Sequence, residues 1–230
     1  MKTTGPRFLL EQSLDQPMPP GTVGIVASWP GVGKSALLVQ LAIDDLVNGR
    51  QVLHVSLDRP VDHVRIRYDE FLEEMCRVGM YEPEQRRHVA IERRRHIHSY
   101  LNGSFSTEKL ASALDFLEKH MDFVPSMAIV DGFAQPEPTA DQIRALSTVA
   151  KDRDMNVWLS VAATRPTHPT AGHELPSVAD HVADQADALA LLSPCTDHIC
   201  IELRTKKGTM SEALMMDPSS LLLKTLTKQA

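Results

Sequence analysis

The stretch SWPGVGKS, residues 28–35, joins a short β-rich run to a segment with helical periodicity. The run before it is TVGIVA at residues 22–27, and the segment after it is ALLVQLAIDDLVNG, which ends in the helix-capping pair Asn48-Gly49. The stretch matches the pattern GxxxxGK[ST] at every required position except the first, which is Ser28. This order of strand, glycine-containing loop and helix predicts an α/β fold that begins at Gly21.

The loop has the groups that a bound polyphosphate requires. Its backbone N–H groups and the positive end of the following helix favour an anion. Gly31 and Gly33 let the backbone curl around phosphate oxygens, and Lys34 reaches the β- and γ-phosphates. The predicted cofactors are ATP and Mg²⁺, with the Ser35 hydroxyl as a metal ligand; the alternative is a chance turn before a helix. The predicted nucleotide-binding residues of the loop are Ser28, Pro30, Gly31, Val32, Gly33, Lys34, Ser35 and Ala36.

A second motif, MAIVDG at residues 127–132, is an apolar run that ends in the acid Asp131. The carboxyl end of such a strand faces the ligand crevice in a parallel sheet. A carboxylate there holds Mg²⁺ through water, so Ser35 and Asp131 form the predicted metal site. The alternative is a solvated acid at the end of a strand.

The remaining chain is organised as alternating strands and helices, which predicts a mainly parallel sheet covered on both faces. The last apolar runs, between residues 188 and 226, predict strands that end in an antiparallel extension. Residues 1–20 are expected to be an N-terminal arm. Residues 21–230 are expected to be one domain, because 230 residues with 43% hydrophobic residues suit one large core. On the predicted helix at residues 106–123 one face carries Leu110, Leu114, Leu117 and Met121.

Composition limits the compartment and the partners. The net charge of -6 gives no overall attraction to nucleic acid. Three cysteines without CxxC or metal-type spacing favour the reducing cytoplasm over a disulfide framework. No run of about 18 apolar residues occurs, so no membrane contact is expected. The histidines form no recognisable metal set; those considered are His88, His96, His98, His168, His173 and His181.

The order of these parts resembles the RecA-like ATPases, in the branch of DnaB-type replicative helicases and KaiC-like proteins. The resemblance covers about residues 20–226 and rests on WPGVGKS, on MAIVDG and on SLD at residues 56–58. In the family an SLE-like motif supplies the glutamate that polarises the attacking water, and Asp58 stands at that position here. Asp58 is one methylene shorter, which implies slow hydrolysis. The alternative is that Asp58 caps the helix that begins near residue 60.

The resemblance also implies roles for residues farther along the chain. A γ-phosphate sensor of the family corresponds to Thr164, followed by Arg165, where a plain strand end is the alternative. A KxRxG-like pair that reaches the neighbouring subunit's nucleotide corresponds to Arg204 and Lys206 in RTKKG, where solvated hairpin cations are the alternative. The implied partner is a second copy of the chain, in a hexamer or an ATP-dependent dimer. The implied catalytic residues are Lys34, Asp58, Arg204 and Lys206.

The expected function is slow Mg-dependent ATP hydrolysis that serves as a switch or assembly timer, with a partner protein that the sequence does not identify. The alternative is a nucleic-acid-dependent ATPase that uses the basic patch from Arg86 to Arg95. Helical spacing would place four arginines of this patch on one face, although acids within it also suit a solvated surface. The loop at residues 165–177 has one Arg and no Lys, so nucleic acid is not favoured. A third class of function is a small-molecule kinase in which the basic patch forms a lid. The separate strand that ends before Asp58 favours the ATPase over this kinase.

Overall fold

The fold is built on a nine-stranded sheet in the part of the chain that the computed structural model describes, residues 5–14, 18–81, 91–133, 137–163, 178, 180–206 and 208–226. The strands are β1 (Val23–Ser28), β2 (Val52–Ser56), β3 (Arg95–Ser99), β4 (Met127–Phe133), β5 (Asn156–Ala162), β6 (Ala188–Pro194), β7 (Ile199–Thr205), β8 (Gly208–Met216) and β9 (Leu223–Thr225). The helices are α1 (Pro6–Ser13), α2 (Lys34–Val47), α3 (Val61–Arg77), α4 (Thr107–Met121), α5 (Ala140–Asp152) and α6 (Asp180–Ala183).

The strand order is β3-β2-β4-β5-β1-β6-β7-β8-β9. The pairs from β3 to β6 are parallel, and the pairs from β6 to β9 are antiparallel. The predicted α/β class is therefore confirmed, with its mainly parallel sheet and antiparallel C-terminal extension.

Helices cover both faces of the sheet, as the alternation along β1 shows. Val26 packs into the cluster that contains α1, α2 and α3, whereas Ile25 packs into the cluster with α4, α5 and α6. All six residues of β1 are buried. A central parallel strand has no face toward water, which explains why this run carries no polar side chain before Ser28.

Helix α2 ends where the sequence predicts. Its C-cap is Asn48, whose side-chain amide donates to the Asp44 carbonyl at 2.7 Å. Gly49 follows with φ 86°, a left-handed conformation that glycine adopts without steric cost.

The N-terminal segment differs from the expected arm, because its residues Pro6–Ser13 form α1 and pack against α2. Leu9 and Leu10 are buried in the core. The Arg7 guanidinium donates to both carboxylate oxygens of Asp45, at 2.9 and 2.8 Å, and to Asn156 Oδ1 at 3.0 Å. These contacts join α1 to α2 and β5, so the described part of the segment is a packed element of the fold.

Two further features of the structure lie beyond what the sequence predicted. Met121 is 51% exposed, since α4 ends there and Asp122, with φ 51°, turns the chain away from the apolar face. The cysteine spacing predicted neither a disulfide nor a metal set. The β6–β7 hairpin nevertheless joins Cys195 to Cys200 by a disulfide, with His198 beside them. No described helix has the length and apolar character that crossing a membrane requires.

Candidate functional site

The carboxyl ends of β1, β2 and β4 meet at one edge of the sheet. β1 leads into the loop at residues 28–35, β2 leads to Asp58, and Asp131 lies in β4. β2 and β4 are neighbours with Ser56 opposite Asp131, and the Leu57 N–H donates to the Asp131 carbonyl at 2.8 Å. The strand order therefore brings the two predicted acids together.

A cavity of about 300 Å³ lies between this edge and the start of α3. Ser35, Asp58 and Asp131 all line it. A hydroxyl and carboxylates are hard oxygen ligands of the kind that Mg²⁺ prefers. The predicted metal ligands and the predicted water-activating acid thus share one cavity. Other residues lining it are His54, Arg59, His63, Arg67 and Glu70.

The Lys34 ammonium lies at the base of the loop. It donates to the Ser28 carbonyl at 3.1 Å, to Ser28 Oγ at 3.2 Å and to the Trp29 carbonyl at 3.3 Å. Burial lowers the pKa of Lys34, and the negative charges of Asp131 and Asp58 oppose that shift. Ser28, the residue that departs from the motif, is buried and supplies two of the three acceptors, its carbonyl and its Oγ. Its side chain therefore helps to position the lysine.

The backbone of the loop has the conformation that a phosphate cradle needs. Gly31 and Gly33 have φ of 83° and 123°, which residues with a side chain rarely adopt. Helix α2 begins directly after Gly33, and no side chain in the described part of the chain caps its first N–H groups. Such groups bind an anion at a helix N-terminus. The loop residues present thus fit the phosphates of a nucleotide.

The remaining loop residues differ in how far their side chains are exposed. Val32 and Ala36 are buried in the core beneath the loop, so only their backbone is available to a ligand. Pro30 is exposed. A ligand at this loop would therefore meet mainly main-chain N–H groups and the side chains of Lys34 and Ser35.

Asp131 is held by a residue that the sequence analysis missed, Ser160 on β5. The Ser160 hydroxyl donates to Asp131 Oδ1 at 2.5 Å and accepts from the Gly132 N–H at 2.7 Å. Ser160 is 1% exposed. Nothing in its local sequence distinguishes it from other serines, because the contact depends on β5 lying beside β4.

Asp58 lies against β4 with its side chain 55% exposed. A Cβ atom at Gly132, whose φ is 108°, would come within 2.9 Å of Asp58 Oδ1, so any other residue there would displace the Asp58 carboxylate. Burial raises the pKa of Asp58, and the charge of Asp131 adds to the rise. The N-cap of α3 is Pro60, which makes no side-chain capping bond. The alternative in which Asp58 caps this helix is therefore wrong.

His54, also missed, lies on β2 at the back of the cavity and is 1% exposed. Its Nδ1 is 3.1 Å from the Tyr68 hydroxyl, and its Nε2 has no hydrogen-bond partner among the described residues. Burial lowers the pKa of His54 to about 4; Asp131 opposes the shift and Arg95 adds to it. A sequence signal was available for its neighbours on α3, since residues 63, 67 and 70 recur at the four- and three-residue spacing of one helix face.

Arg204 and Lys206 lie at the opposite edge of the sheet. Arg204 stands opposite Leu189 near the start of β6 and bonds Glu202. The Lys206 ammonium donates to Asp187 Oδ1 at 2.6 Å. The six residues of β1 separate this edge from the loop by about 16 Å. Neither cation reaches the site of its own chain, and a role at a neighbouring chain stays a prediction.

Two other expectations fall partly or wholly outside the described residues. Thr164 and the loop at residues 165–177 are not among them, nor are Arg86 and Arg87. Arg95, by contrast, is 6% exposed and stacks over the Tyr68 ring at 4.5 Å from its centroid. The expected basic patch therefore does not include Arg95, because β3 begins there and turns the side chain inward.

No protein-family model matches the chain, and no curated protein sequence matches it.

Proposed function

We propose that this protein binds ATP with Mg²⁺ at the carboxyl edge of β1, β2 and β4 and hydrolyses it slowly. The observation that supports the proposal is the meeting of Ser35, Asp58 and Asp131 in one cavity beside Lys34. These residues come from three separate segments of the chain. Each of them has the chemistry that phosphoryl transfer to water requires.

The residues divide the work as follows. The loop N–H groups and Lys34 bind the β- and γ-phosphates, and Lys34 exchanges its contacts with Ser28 and Trp29 for phosphate oxygens. Ser35 and Asp131 would hold Mg²⁺, which neutralises charge that develops on the phosphates. Ser160 orients the Asp131 carboxylate. Asp58 accepts a proton from the attacking water.

Slow turnover follows from the reach of Asp58. In the family that the sequence resembles, a glutamate performs this step, and an aspartate is one methylene shorter. Misplacement of a catalytic group by about 1 Å can lower a rate about 10²-fold. A slow ATPase suits a switch or an assembly timer better than a motor.

We further propose a RecA-like arrangement in which copies of the chain assemble with nucleotide between them. The position of Arg204 and Lys206 favours this, because they lie away from their own chain's loop on an exposed edge. The cytoplasm is the compartment that this proposal implies, since ATP and Mg²⁺ are available there.

The test is calorimetric titration of ATP with Mg²⁺ into wild type and Lys34→Ala. Lys34→Ala should abolish detectable ATP binding, because its ammonium is the main point charge opposite the triphosphate. Lys119→Ala, on the exposed side of α4, is the matched control and should bind like wild type. Phosphate release and light scattering on the same samples report turnover and assembly. Affinity in Lys34→Ala equal to that of wild type would overturn the nucleotide assignment.

A further inference from the structure

The hairpin between β6 and β7 carries sulfur and nitrogen ligands that the proposed ATP chemistry does not use. Cys195 and Cys200 are joined there by a disulfide, and His198 Nε2 is 3.2 Å from Cys200 Sγ. The three ligand atoms all lie within 4.8 Å of one another.

The hairpin itself brings the three side chains together. Pro194 and Ile199 are opposite each other at its end, and Ser193 is opposite Cys200. The Cys195 N–H donates to the His198 carbonyl at 2.8 Å and closes the turn. The ligands are therefore held on a short, hydrogen-bonded frame at the same edge of the sheet as the phosphate loop.

Asp197 gives His198 the orientation of a metal ligand. Its Oδ1 is 2.5 Å from His198 Nδ1, so the Nδ1 proton is directed at the carboxylate. The lone pair of Nε2 then points toward the sulfur of Cys200. Metal-bound histidines are commonly oriented in this way, by a carboxylate on the nitrogen that does not bind the metal.

We propose that reduction of the disulfide converts this hairpin into a Zn²⁺ site formed by Cys195, His198 and Cys200. Two thiolates and an imidazole suit Zn²⁺ better than Mg²⁺, which prefers oxygen ligands. Three protein ligands leave the fourth tetrahedral position for water. The site is separate from the cavity that contains Ser35 and Asp131, so it goes beyond the proposed ATPase function.

A dithiol can supply the electrons and protons that reduction of this disulfide requires. The dithiol gives two electrons and two protons to the Cys195–Cys200 bond and becomes a disulfide itself. Binding of Zn²⁺ then displaces the two thiol protons, since the thiolate is the ligand. The disulfide and the bound ion use the same two sulfur atoms, so the hairpin holds one or the other.

The test uses the full chain and Co²⁺ as a coloured probe for the Zn²⁺ site. A phosphine reduces the disulfide with water and becomes its oxide, and the protein is then desalted under argon. Reduced wild type should bind one Co²⁺ per chain with sulfur-to-cobalt absorption and the visible bands of a tetrahedral site. Added Zn²⁺ should remove both. Protein that has not been reduced should show neither.

Variants assign the ligands. Cys195→Ser and Cys200→Ser should each abolish the sulfur-to-cobalt absorption, and Asp197→Asn should weaken Co²⁺ binding about 10- to 100-fold. Cys76→Ser, on α3, is the matched control and should retain the full spectrum. The proposal is overturned if reduced wild type shows no such absorption at one equivalent. It is equally overturned if Cys195→Ser keeps the wild-type spectrum or Cys76→Ser loses it.

Discussion

Lowering the pH should destabilise this protein through one buried histidine, His54. Burial lowers its pKa from an ordinary value of 6.5 to about 4. The negative charge of Asp131 opposes this shift, and the positive charge of Arg95 adds to it. The unfolded chain therefore takes up this proton near pH 6.5, whereas the folded chain resists it until about pH 4. The stability that neutral His54 contributes is complete above the unfolded pKa and is lost as the pH falls toward the folded one.

The size of this loss follows from the two pKa values. Between about pH 7.5 and about pH 5 it is about 2 kcal/mol in the free energy of unfolding. The substitution His54→Gln removes the titrating imidazole and keeps a polar group near the Tyr68 hydroxyl. Its packing cost is the same at both pH values and cancels when the two are compared. Other titrating groups, such as Asp44 and Asp58, cancel between wild type and variant.

The measurement is urea unfolding of both proteins at the two pH values, followed by circular dichroism. Wild type should lose about 2 kcal/mol more than His54→Gln on acidification. His120→Gln, on the exposed surface of α4, is the control and should respond like wild type. An equal loss of unfolding free energy in wild type and His54→Gln would refute the reasoning, because protonation of the buried imidazole would then not cause the acid destabilisation.

Two further predictions concern turnover and the N-terminal helix. Asp58→Asn should abolish phosphate release and leave ATP binding intact. Asp58→Glu should raise turnover by up to about 10²-fold, because it restores the missing methylene. An unchanged turnover in Asp58→Asn would show that Asp58 takes no part in the chemistry. Arg7→Met should lower the free energy of unfolding by about 3 kcal/mol, because it leaves the buried Asp45 with one arginine fewer. The exposed Arg77→Met is its control in urea unfolding and should show a much smaller loss; equal losses would mean that α1 is not held by Arg7.

Local sequence was sufficient for most of the elements and for the loop. The apolar run of β1, the helical periodicity of α2 and the glycines between them are contiguous, so their order alone predicts the strand, loop and helix that form. The same reasoning placed Asp131 near the carboxyl end of a strand. The order of the elements, strands alternating with helices and then strands in succession, also separated the parallel part of the sheet from its antiparallel extension. These features depend on residues that are neighbours in the chain, and backbone geometry relates such residues directly.

The tertiary structure alone decided which distant groups meet. Ser160 holds Asp131 because β5 lies beside β4, and His54 is buried near the same acid because β2 lies on the other side. Arg7 reaches Asp45 across 38 positions of sequence. Periodicity shows which face of an element is apolar, but it does not show which strand becomes the neighbour, because strand order depends on the packing of the whole core. The polar partners of the site follow from that order, so they were visible only in the folded chain.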